Sequence, residues 1–493
     1  MSRSGQRDHA VVLGGSLAGM LAARVLADAF SQVTIVERDR YPEGPRSRRG
    51  VPQGYHLHVL LMRGLAILKA LFPGIREDLV AHGAIPIDTG SDLKWLTPEG
   101  WGPRFPSGLQ KLAFSRELLD WAVLRSLTNR SNVQLREAWE ARGLISTAGR
   151  VTGVLLHDGK RDEELSADLV VDATGRRSRL PAWMKDSGFD APRQTVVNAF
   201  LGYSSRIYER PAGEDRGWKA AYIQATPPRS NRAGVLFPIE GDRWCCTLGG
   251  GNKEYPPQDE AGFLEFARSL RSSAVYDVIS TARPLSQIYT YRATENRLRH
   301  FHELEQPPDG LVAFGDSVCA FNPVYGQGMT VAALGAVALS KCLQEGTAAL
   351  PRRFYRELSG IVRAPWMLAT SEDCRYTLSQ GGRLTTGMRA MQRYVDRVVA
   401  VSCRDLTVRR RWLEVFHMLR PPTALFRPGV VGRVLLLGHT RTRCRVSEDP
   451  ALEPQPWMAS RAASSAVMAR PRDQACTSAP GSRADRRSAT ARS

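Results

Sequence analysis

The sequence contains little lysine: 8 lysines stand against 60 arginines in 493 residues, and the formal net charge is +19. A charge of this size can indicate nucleic-acid binding. Here the arginines are spread along the whole chain, and no basic run interleaves with aromatic residues. A GC-rich genome produces the same arginine excess by codon bias. We therefore predict no nucleic-acid partner, and we attribute the charge to an anionic cofactor or a membrane surface.

Long apolar runs are also missing. No stretch approaches ~18 consecutive apolar residues, so a membrane-spanning helix is not expected. The first residues, MSRSGQRDHAVVLGG, contain no apolar segment before a cleavage site of small residues, and we expect a cytoplasmic protein without a signal peptide. The eight cysteines form no CxxC pair and have no metal-like spacing, which predicts reduced core thiols.

The segment from residue 9 to residue 39 carries the clearest local pattern, which predicts strand, tight turn, helix and second strand. The three glycine positions of a nucleotide-binding turn are occupied by Gly14, Ser16 and Gly19, and the small Ser16 can itself donate to a phosphate. Glu37 ends the second strand, where a carboxylate can accept from both ribose hydroxyls. The alternative is a βα turn that binds nothing. The residues predicted to bind the nucleotide here are Gly14, Gly15, Ser16, Ala18, Gly19, Glu37 and Arg38.

A second glycine-rich turn lies far downstream, in GLVAFGDSVCAFNPVYGQGM at residues 310–329. Asp316 follows an apolar strand and can accept from a sugar-like chain, while Gly326 and Gly328 open a helix whose N–H groups can face an electron-rich group. A ligand that spans both turns needs a dinucleotide end and a long polyol end. FAD has both, and NAD lacks the second. The residues predicted to bind FAD here are Gly315, Asp316, Pro323, Gly326, Gly328 and Met329.

These motifs together resemble the class A flavoprotein monooxygenases. DLVVDATGRRSRLPAWM at 168–184 resembles the middle motif of that family, which implies that Asp172 and Gly175 lie near the pyrophosphate and are linked to NAD(P)H use. FSRELLDWAV at 114–123 carries Arg116, where the family has an arginine that reaches the FAD phosphate or ribityl chain.

Three further segments, RRGVPQGYHLH (48–58), PIEGDRWCCTL (238–248) and ATSEDCRY (369–376), resemble a subgroup of FAD epoxidases that act on polyketides and terpenoids in bacterial secondary metabolism. The resemblance covers residues 8–436. It implies that NAD(P)H or a separate reductase reduces the flavin, and that a C4a-hydroperoxide transfers one oxygen of O2 to a carbon–carbon double bond of a lipophilic substrate. The flavin carries this chemistry, so no catalytic acid, base or nucleophile is assigned.

The predicted fold class is α/β, with a Rossmann-like FAD-binding domain interleaved with a mixed-sheet substrate domain and followed by C-terminal helices. The predicted boundaries are 8–195 with 285–345 for the FAD domain, 196–284 for the substrate domain, 346–436 for the helical region, and 437–493 for a disordered tail rich in Ser, Ala, Arg and Pro. The oligomeric state is left open.

The loop of residues 48–58 is expected near the flavin ring in that subgroup, which places Gln53 and His56 close to the isoalloxazine. His56 and His58 are spaced i, i+2 without a third ligand nearby, so loop hydrogen bonding is preferred over a metal site. The residues predicted to line the substrate pocket are Phe237, Phe321, Asn322 and Val324.

Other functions remain open at this point. The same flavin chemistry hydroxylates aromatic rings, a prenyl-chain reductase shares these motifs, and a non-catalytic flavin carrier would keep them. The Trp-x-Trp-x-Ile-Pro signature of flavin halogenases is absent. The C-terminal stretch MLRPPTALFRPGVVGRVLLLGH predicts either a helix on a membrane surface or a helix packed on the catalytic domain.

Overall fold

The structure is a computed structural model that describes residues 7–211, 213 and 215–438. Its strands are β1 (Arg7–Leu13), β2 (Phe30–Glu37), β3 (Ile85–Asp88), β4 (Leu93–Thr97), β5 (Gly100–Trp101), β6 (Gln110–Ala113), β7 (Val133–Glu137), β8 (Glu140–Thr147), β9 (Arg150–His157), β10 (Asp162–Ser166), β11 (Leu169–Asp172), β12 (Gln194–Val197), β13 (Gly202–Glu209), β14 (Ala220–Ile223), β15 (Arg232–Ile239), β16 (Arg243–Gly250), β17 (Tyr289–Tyr291), β18 (Asn296–Arg299), β19 (Leu311–Ala313) and β20 (Cys319–Ala320).

The α-helices are α1 (Leu17–Leu26), α2 (Met62–Leu71), α3 (Ile75–Ala81), α4 (Arg116–Thr128), α5 (Leu180–Asp186), α6 (Glu260–Arg268), α7 (Tyr276–Ile279), α8 (Gly328–Gln344), α9 (Leu350–Asp373), α10 (Thr386–Ser402), α11 (Leu406–Phe416) and α12 (Pro428–Leu437). Short 3₁₀ turns at Pro52–Tyr55, Gly315–Ser317 and Pro323–Tyr325 lie among the segments that the sequence singles out.

A parallel sheet in the order β19-β11-β1-β2-β7 forms the centre of the nucleotide half. Val11 and Val12 point to opposite faces of β1, and both are 0% exposed, so both faces of the sheet are covered. Helix α1 packs on β1, β2 and β11, while the antiparallel sheet β10-β9-β8 contacts β11 and β2. The predicted strand, turn, helix and strand at the N-terminus are confirmed, as is the α/β fold class.

Helix α8 packs beside α1, and both helices contact the Gly315–Ser317 turn. Small residues, Ala332, Ala333 and Ala336, lie on the buried side of α8 and permit this close approach. As a result, the N-termini of two helices and the turn after β19 lie together at the carboxyl ends of the parallel strands, where ligands of open α/β sheets bind.

A second, mixed sheet of seven strands has the order β17-β13-β16-β15-β14-β4-β5, with β14 and β4 parallel and the other pairs antiparallel. Strands β4 and β5 come from residues 93–101, and β17 from residues 289–291. The chain therefore crosses between the two sheets several times, and the division at 195/196 and 284/285 stays a proposal.

The C-terminal region is helical, and α10, α11 and α12 pack on one another around a small apolar core that includes Val398, Val408 and Val434. Within residues 7–438, no helix is long and apolar enough to cross a membrane. The predicted disordered tail, apart from its first two residues, lies outside the described part of the chain.

Candidate cofactor and substrate site

The turn between β1 and α1 requires glycine at two positions. Gly14 has φ +93°, and a Cβ atom there would lie 2.7 Å from the carbonyl oxygen of Ala173 on the neighbouring strand end. A Cβ atom on Gly19 would lie 1.8 Å from the oxygen of Gly14. These are the tight turn and the close helix–strand approach that a dinucleotide-binding turn needs. Ala18 lies against the second glycine turn, 2.8 Å from where a Cβ of Gly315 would be.

Ser16, which replaces the middle glycine, is the N-cap residue of α1, and its hydroxyl makes no capping bond. It accepts instead from Nη2 of Arg116 at 2.9 Å, while Nε of Arg116 donates to Asp120 at 2.8 Å. Arg116 is buried and begins α4. The serine therefore holds a guanidinium at the N-terminus of α1, where its positive charge adds to the helix dipole in favour of an anion.

Glu37 is buried at the end of β2 and accepts from the N–H of Gly15 at 2.8 Å and of Asp39 at 3.1 Å. Nη1 of Arg48 lies 3.3 Å from the same carboxylate. Tyr41 donates to the carbonyl oxygen of Gly15 at 2.6 Å and lies under the Arg48 guanidinium. A carboxylate offers about four acceptor positions, so Glu37 retains capacity for a ribose hydroxyl. Arg48 was not predicted; the only signal for it was its place in a long loop after β2.

Asp172 and Gly175 organise the turn that follows β11. Asp172 accepts from the hydroxyl groups of Thr174 and Ser178, both at 2.5 Å, so both of its oxygens are used within the turn. Gly175, at φ +86°, donates to the hydroxyl of Ser317 at 2.9 Å. The middle motif is thereby fixed to the turn after β19, and its predicted link to NAD(P)H stays a prediction.

Asp316 is the carboxylate of the short turn that follows β19. No hydrogen bond to its side chain is found among the described residues, and Oδ1 lies 3.8 Å from the Cβ position of Gly328 at the start of α8. Burial raises the pKa of Asp316, and the charges of Arg176, Arg116 and Arg299 oppose that shift. An acceptor with no protein donor, next to a helix N-terminus, suits a polyol chain.

The α8 end of the site contains further predicted residues. Gly326, at φ +64°, closes the short 3₁₀ turn that includes the exposed Pro323, and Met329 lies in the first turn of α8 against the core. Between the glycines, Gln327 is buried, and its Oε1 has no hydrogen-bond partner within the described residues. No local sequence signal marks Gln327 as an unsatisfied amide.

The loop of residues 48–58 is tied to the seven-stranded sheet through His56. Its Nδ1 lies 2.7 Å from the hydroxyl of Ser205 on β13, which in turn lies 2.6 Å from the hydroxyl of Thr247 on β16. Burial lowers the pKa of His56 to about 4, so the ring is neutral at physiological pH. Nδ1 of His58 lies 2.9 Å from the carbonyl oxygen of His56. Gln53 lies in the 3₁₀ turn just before, and Arg38 is exposed after β2.

A buried polar network surrounds Asn322. Its Oδ1 accepts from the Tyr203 hydroxyl at 2.8 Å, and its Nδ2 donates to Asp373 of α9 at 3.1 Å. Asp373 also accepts from Nδ2 of Asn296 at 2.6 Å and from the hydroxyl of Tyr325 at 2.5 Å. Burial raises the pKa of Asp373 to about 7. The network fixes the segment between β20 and α8 to α9. Of the motifs in the sequence, only ATSEDCRY at 369–376 includes Asp373.

The residues predicted to line a substrate pocket have different surroundings. Phe321 belongs to the core of the nucleotide half, and its carbonyl accepts from Nη2 of Arg176 at 2.7 Å. Val324 packs on a small cluster that contains Tyr376. Phe237 lies in β15, in a different core. The pocket role of these residues and of Asn322 stays a prediction.

Phe237 belongs to a group that we call the aromatic cluster, which consists of Trp95, Tyr222, Phe237, Trp412 and Phe416. The ring of Trp95 lies 5.3 Å from that of Tyr222, 4.6 Å from that of Trp412 and 5.0 Å from that of Phe416. Leu57, Val59 and Met62 pack against the same core. The Cβ position of Gly326 is 3.7 Å from the carbonyl oxygen of Val59, so the glycine turn before α8 and the aromatic cluster both contact the short segment that contains Val59.

The charged and hydrogen-bonding groups at this edge of the sheet fit FAD. Glu37 suits the ribose, and the N-terminus of α1 with Arg116 suits the pyrophosphate. The carboxylate of Asp316 suits the ribityl hydroxyls, and the N-terminus of α8 at Gly328 suits the flavin ring. These features define a dinucleotide-binding flavoprotein.

The comparisons with known proteins give the family. A family model described as "FAD binding domain" matches residues 8–348, and the chain belongs to that family. Protein Rv3254 of Mycobacterium tuberculosis is 31% identical over 444 residues, which are 87% of this chain and 93% of that protein. Kynurenine 3-monooxygenase of Salinispora arenicola is 26% identical over 352 residues, which are 69% of this chain and 73% of that enzyme.

Among solved structures, a triple mutant of the flavin-dependent brominase Bmp2 is similar, with a TM-score of 0.63 at 14% identity over 87% of this chain and 98% of that one. At this identity the likeness shows the fold alone. The fold is therefore shared by flavoproteins that oxygenate and flavoproteins that halogenate, so the fold alone does not define the reaction.

Proposed function

We propose that this chain is an FAD-dependent monooxygenase that adds one oxygen atom of O2 to a carbon–carbon double bond of a lipophilic polyketide or terpenoid. The observation that carries the proposal is the aromatic cluster, which lies one short segment away from the α8 glycine turn. Electrophilic oxygen transfer to an alkene requires a dry apolar site that positions the double bond and excludes water.

The two histidines of the loop at residues 48–58 support this proposal because they are neutral. Burial lowers the pKa of His56 to about 4 and, with the charge of Arg116, lowers that of His58 to about 3. Neither ring is charged at neutral pH, and the hydrogen bond of His56 to Ser205 holds the loop on the sheet. These residues therefore act by closing and drying the site, with no proton transfer assigned to them.

When bound and reduced, FAD supplies an electrophilic oxygen atom derived from O2. The chain would hold its ribose at Glu37, its pyrophosphate at the α1 N-terminus with Arg116, and its ribityl chain at Asp316. NAD(P)H, used directly or through a reductase, is the proposed reductant. The network of Asn322 and Asp373 keeps the segment before α8 in place, and the aromatic cluster would position the substrate.

A second candidate is hydroxylation of an aromatic ring by the same flavin chemistry. Two features favour it: the similarity to kynurenine 3-monooxygenase, and the rings of the aromatic cluster, on which an aromatic substrate could stack if the cluster is the substrate site. The two candidates differ in the bond that gains oxygen and share everything else in the site.

The test uses purified holoenzyme, NADPH with a flavin reductase, and ¹⁸O2 over a panel of lipophilic polyenes and aromatics, followed by mass spectrometry. We expect one labelled oxygen and the loss of one alkene; labelled oxygen on a ring with alkenes intact would identify the hydroxylase. A gain of two hydrogens without label would contradict both. A bromide arm that gives a brominated, unlabelled product would also contradict both.

The matched control for this assay compares two aspartates. Asp316→Ala removes the proposed ribityl acceptor and should lower FAD content and labelled product together. Asp186→Ala removes an exposed carboxylate from the end of α5 and should change neither. Equal product from both variants would contradict the placement of FAD.

A peripheral membrane contact remains part of the proposal. Leu436, in the last turn of α12, is 79% exposed, and Leu435 next to it is 56% exposed. An exposed apolar helix end flanked by arginines is a feature of helices that lie on anionic bilayers. Co-sedimentation with phosphatidylglycerol vesicles, lost in Leu436→Ser, would support this contact, and equal sedimentation of both proteins would contradict it.

A further inference from the structure

Lys111 lies on β6 and is only 3% exposed. Within the part of the chain that the structure describes, no hydrogen bond or ion pair reaches its ammonium group. Nζ lies over the ring of Phe237, at 4.3 Å from the ring centroid. A buried charge without a counter-ion is destabilising, and burial lowers the pKa of Lys111 to about 7. The ammonium group can therefore bind an anionic ligand, because no carboxylate of the described chain neutralises it.

His417, whose pKa responds to the charge of Lys111, does not supply that partner. Its Nε2 lies 3.1 Å from the hydroxyl of Thr89, and its Nδ1 has no partner among the described residues. Burial and the charge of Lys111 lower the pKa of His417 to about 3, so the ring is neutral. His417 can exchange a hydrogen bond with a ligand and cannot neutralise the lysine.

A second cation of the same region, Arg409, is also buried without a counter-ion among the described residues. Arg409 of α11 is fully buried, and its Nε and Nη1 have no hydrogen-bond partner within residues 7–438. Its guanidinium lies 5.4 Å from the ring centroid of Trp95 and 5.1 Å from that of Trp412. Burial lowers the pKa of Arg409 to about 10. The aromatic cluster is thus bordered by two cations whose charge no carboxylate balances within the described chain.

We propose that Lys111 is the recognition point for an oxyanion on the substrate, a carboxylate or an ionised phenol or enol, whose apolar body lies on Phe237 and the aromatic cluster. The inference rests on the proposed function, because it assigns this cluster to the substrate. Binding of the oxyanion gives the buried amine its missing partner in a low-dielectric site, where such a charge-assisted hydrogen bond is strong. A neutral lipophilic molecule leaves the amine unpaired and binds more weakly.

The test is a binding titration of the holoenzyme, read by tryptophan fluorescence and calorimetry, at pH 6.5. The probes are 2-naphthoate and its neutral isostere 2-naphthamide, with 2,4-dinitrophenol, which is ionised at this pH, as the phenolate arm. We expect the wild type to prefer an anion over the amide by about tenfold or more, and Lys111→Met to lose that preference while it binds the amide within about twofold of wild type. The arm that shows the preference distinguishes carboxylate from phenolate.

The control is Lys219→Met, because the amine of Lys219 is exposed and already paired with Asp92 at 3.0 Å; this variant should keep the preference. Equal affinity of the wild type for anions and amide, or a preference that survives Lys111→Met, would overturn the inference, and so would a failure of every anion to bind. Binding does not need turnover: a lysine-dependent preference without labelled product would refute the proposed function alone.

Discussion

In the nucleotide half, buried Arg48 lies 3.3 Å from the carboxylate of buried Glu37, and that carboxylate also accepts two backbone N–H groups. Beside the seven-stranded sheet, Lys111 is equally buried and contacts a ring, Phe237, with no carboxylate partner among the described residues. The Arg48–Glu37 pair is balanced within the chain, whereas Lys111 leaves a charge to be balanced by something else.

The difference indicates two kinds of ligand site. A cofactor that stays bound through many reactions can be held by groups that the protein has already positioned in pairs. A substrate that enters and leaves gains most from a group that has no partner until the substrate arrives, because the protein then distinguishes it from neutral molecules. The buried cations of the aromatic cluster are arranged in this second way.

The largest expected effect comes from replacing one buried cation in each of these two regions and comparing the stability of the two variants. Arg48→Met leaves Glu37 buried without its cation and should lower the free energy of unfolding by about 3–5 kcal/mol. Lys111→Met removes an unpaired charge and should leave stability unchanged or raise it by about 1–4 kcal/mol below pH 7, where the amine is charged. Urea unfolding with excess FAD measures both, and equal losses in the two variants would contradict the contrast.

A second variant tests the packing of the nucleotide half alone. Gly14→Ala places a Cβ 2.7 Å from a backbone oxygen at φ +93°, and we expect a loss of about 2–4 kcal/mol together with loss of bound FAD. Gly188→Ala has the same backbone strain, at φ +80°, but no atom within 4 Å, and should lose about 1 kcal/mol with FAD content unchanged. Flavin absorbance of the purified proteins and thermal unfolding would compare them; similar losses would assign the effect to strain rather than contact.

A third variant tests the buried polar network around Asn322 and Asp373. Asp373→Asn turns an acceptor into a donor that faces the side chains of Asn296, Asn322 and Tyr325, and should lower stability by about 1–3 kcal/mol. Asp396→Asn breaks a surface ion pair with Arg375 and should change stability by about 0–1 kcal/mol. Differential scanning calorimetry measures the stability of both variants. An unchanged stability in Asp373→Asn would show that the network does not hold the segment before α8.

The smallest expected effect is a pH dependence. The pKa of His417 is about 3 in the folded protein and near 6.5 when unfolded, so below about pH 6.5 the unfolded state binds a proton that the folded state does not. Stability is therefore complete above pH 6.5 and falls as the pH decreases, by about 1.4 kcal/mol per unit from this residue. His417→Asn should flatten the slope of unfolding free energy between pH 6 and 5. An unchanged slope in His417→Asn would refute the buried neutral ring.

The sequence predicts the nucleotide half well because its information is local. The spacing of Gly14, Gly19 and Glu37 describes one turn and its two strands, and Gly315 with Asp316 describes another. Steric demands of a few neighbouring backbone atoms decide which residues such turns accept, so the pattern is readable without the rest of the chain.

The remaining features depend on contacts between distant residues. The bond from Arg116 to Ser16 joins residues 100 positions apart, and that from His56 to Ser205 joins residues 149 apart. Lys111 stands in the short strand QKLA, which alone is typical of a surface strand; its burial follows from neighbours that only the fold brings together. Such pairings carry no local signal, and for this reason Arg48, Lys111 and Asp373 were missed.

The most direct test of the central claim is a single turnover. The holoenzyme is photoreduced without any nicotinamide or reductase and mixed with ¹⁸O2 and an accepted lipophilic acid, and the product is quantified by mass spectrometry. The account predicts about one labelled oxygen in the product per reduced flavin. Reoxidation of the flavin with labelled hydrogen peroxide and unlabelled, unchanged substrate would contradict it.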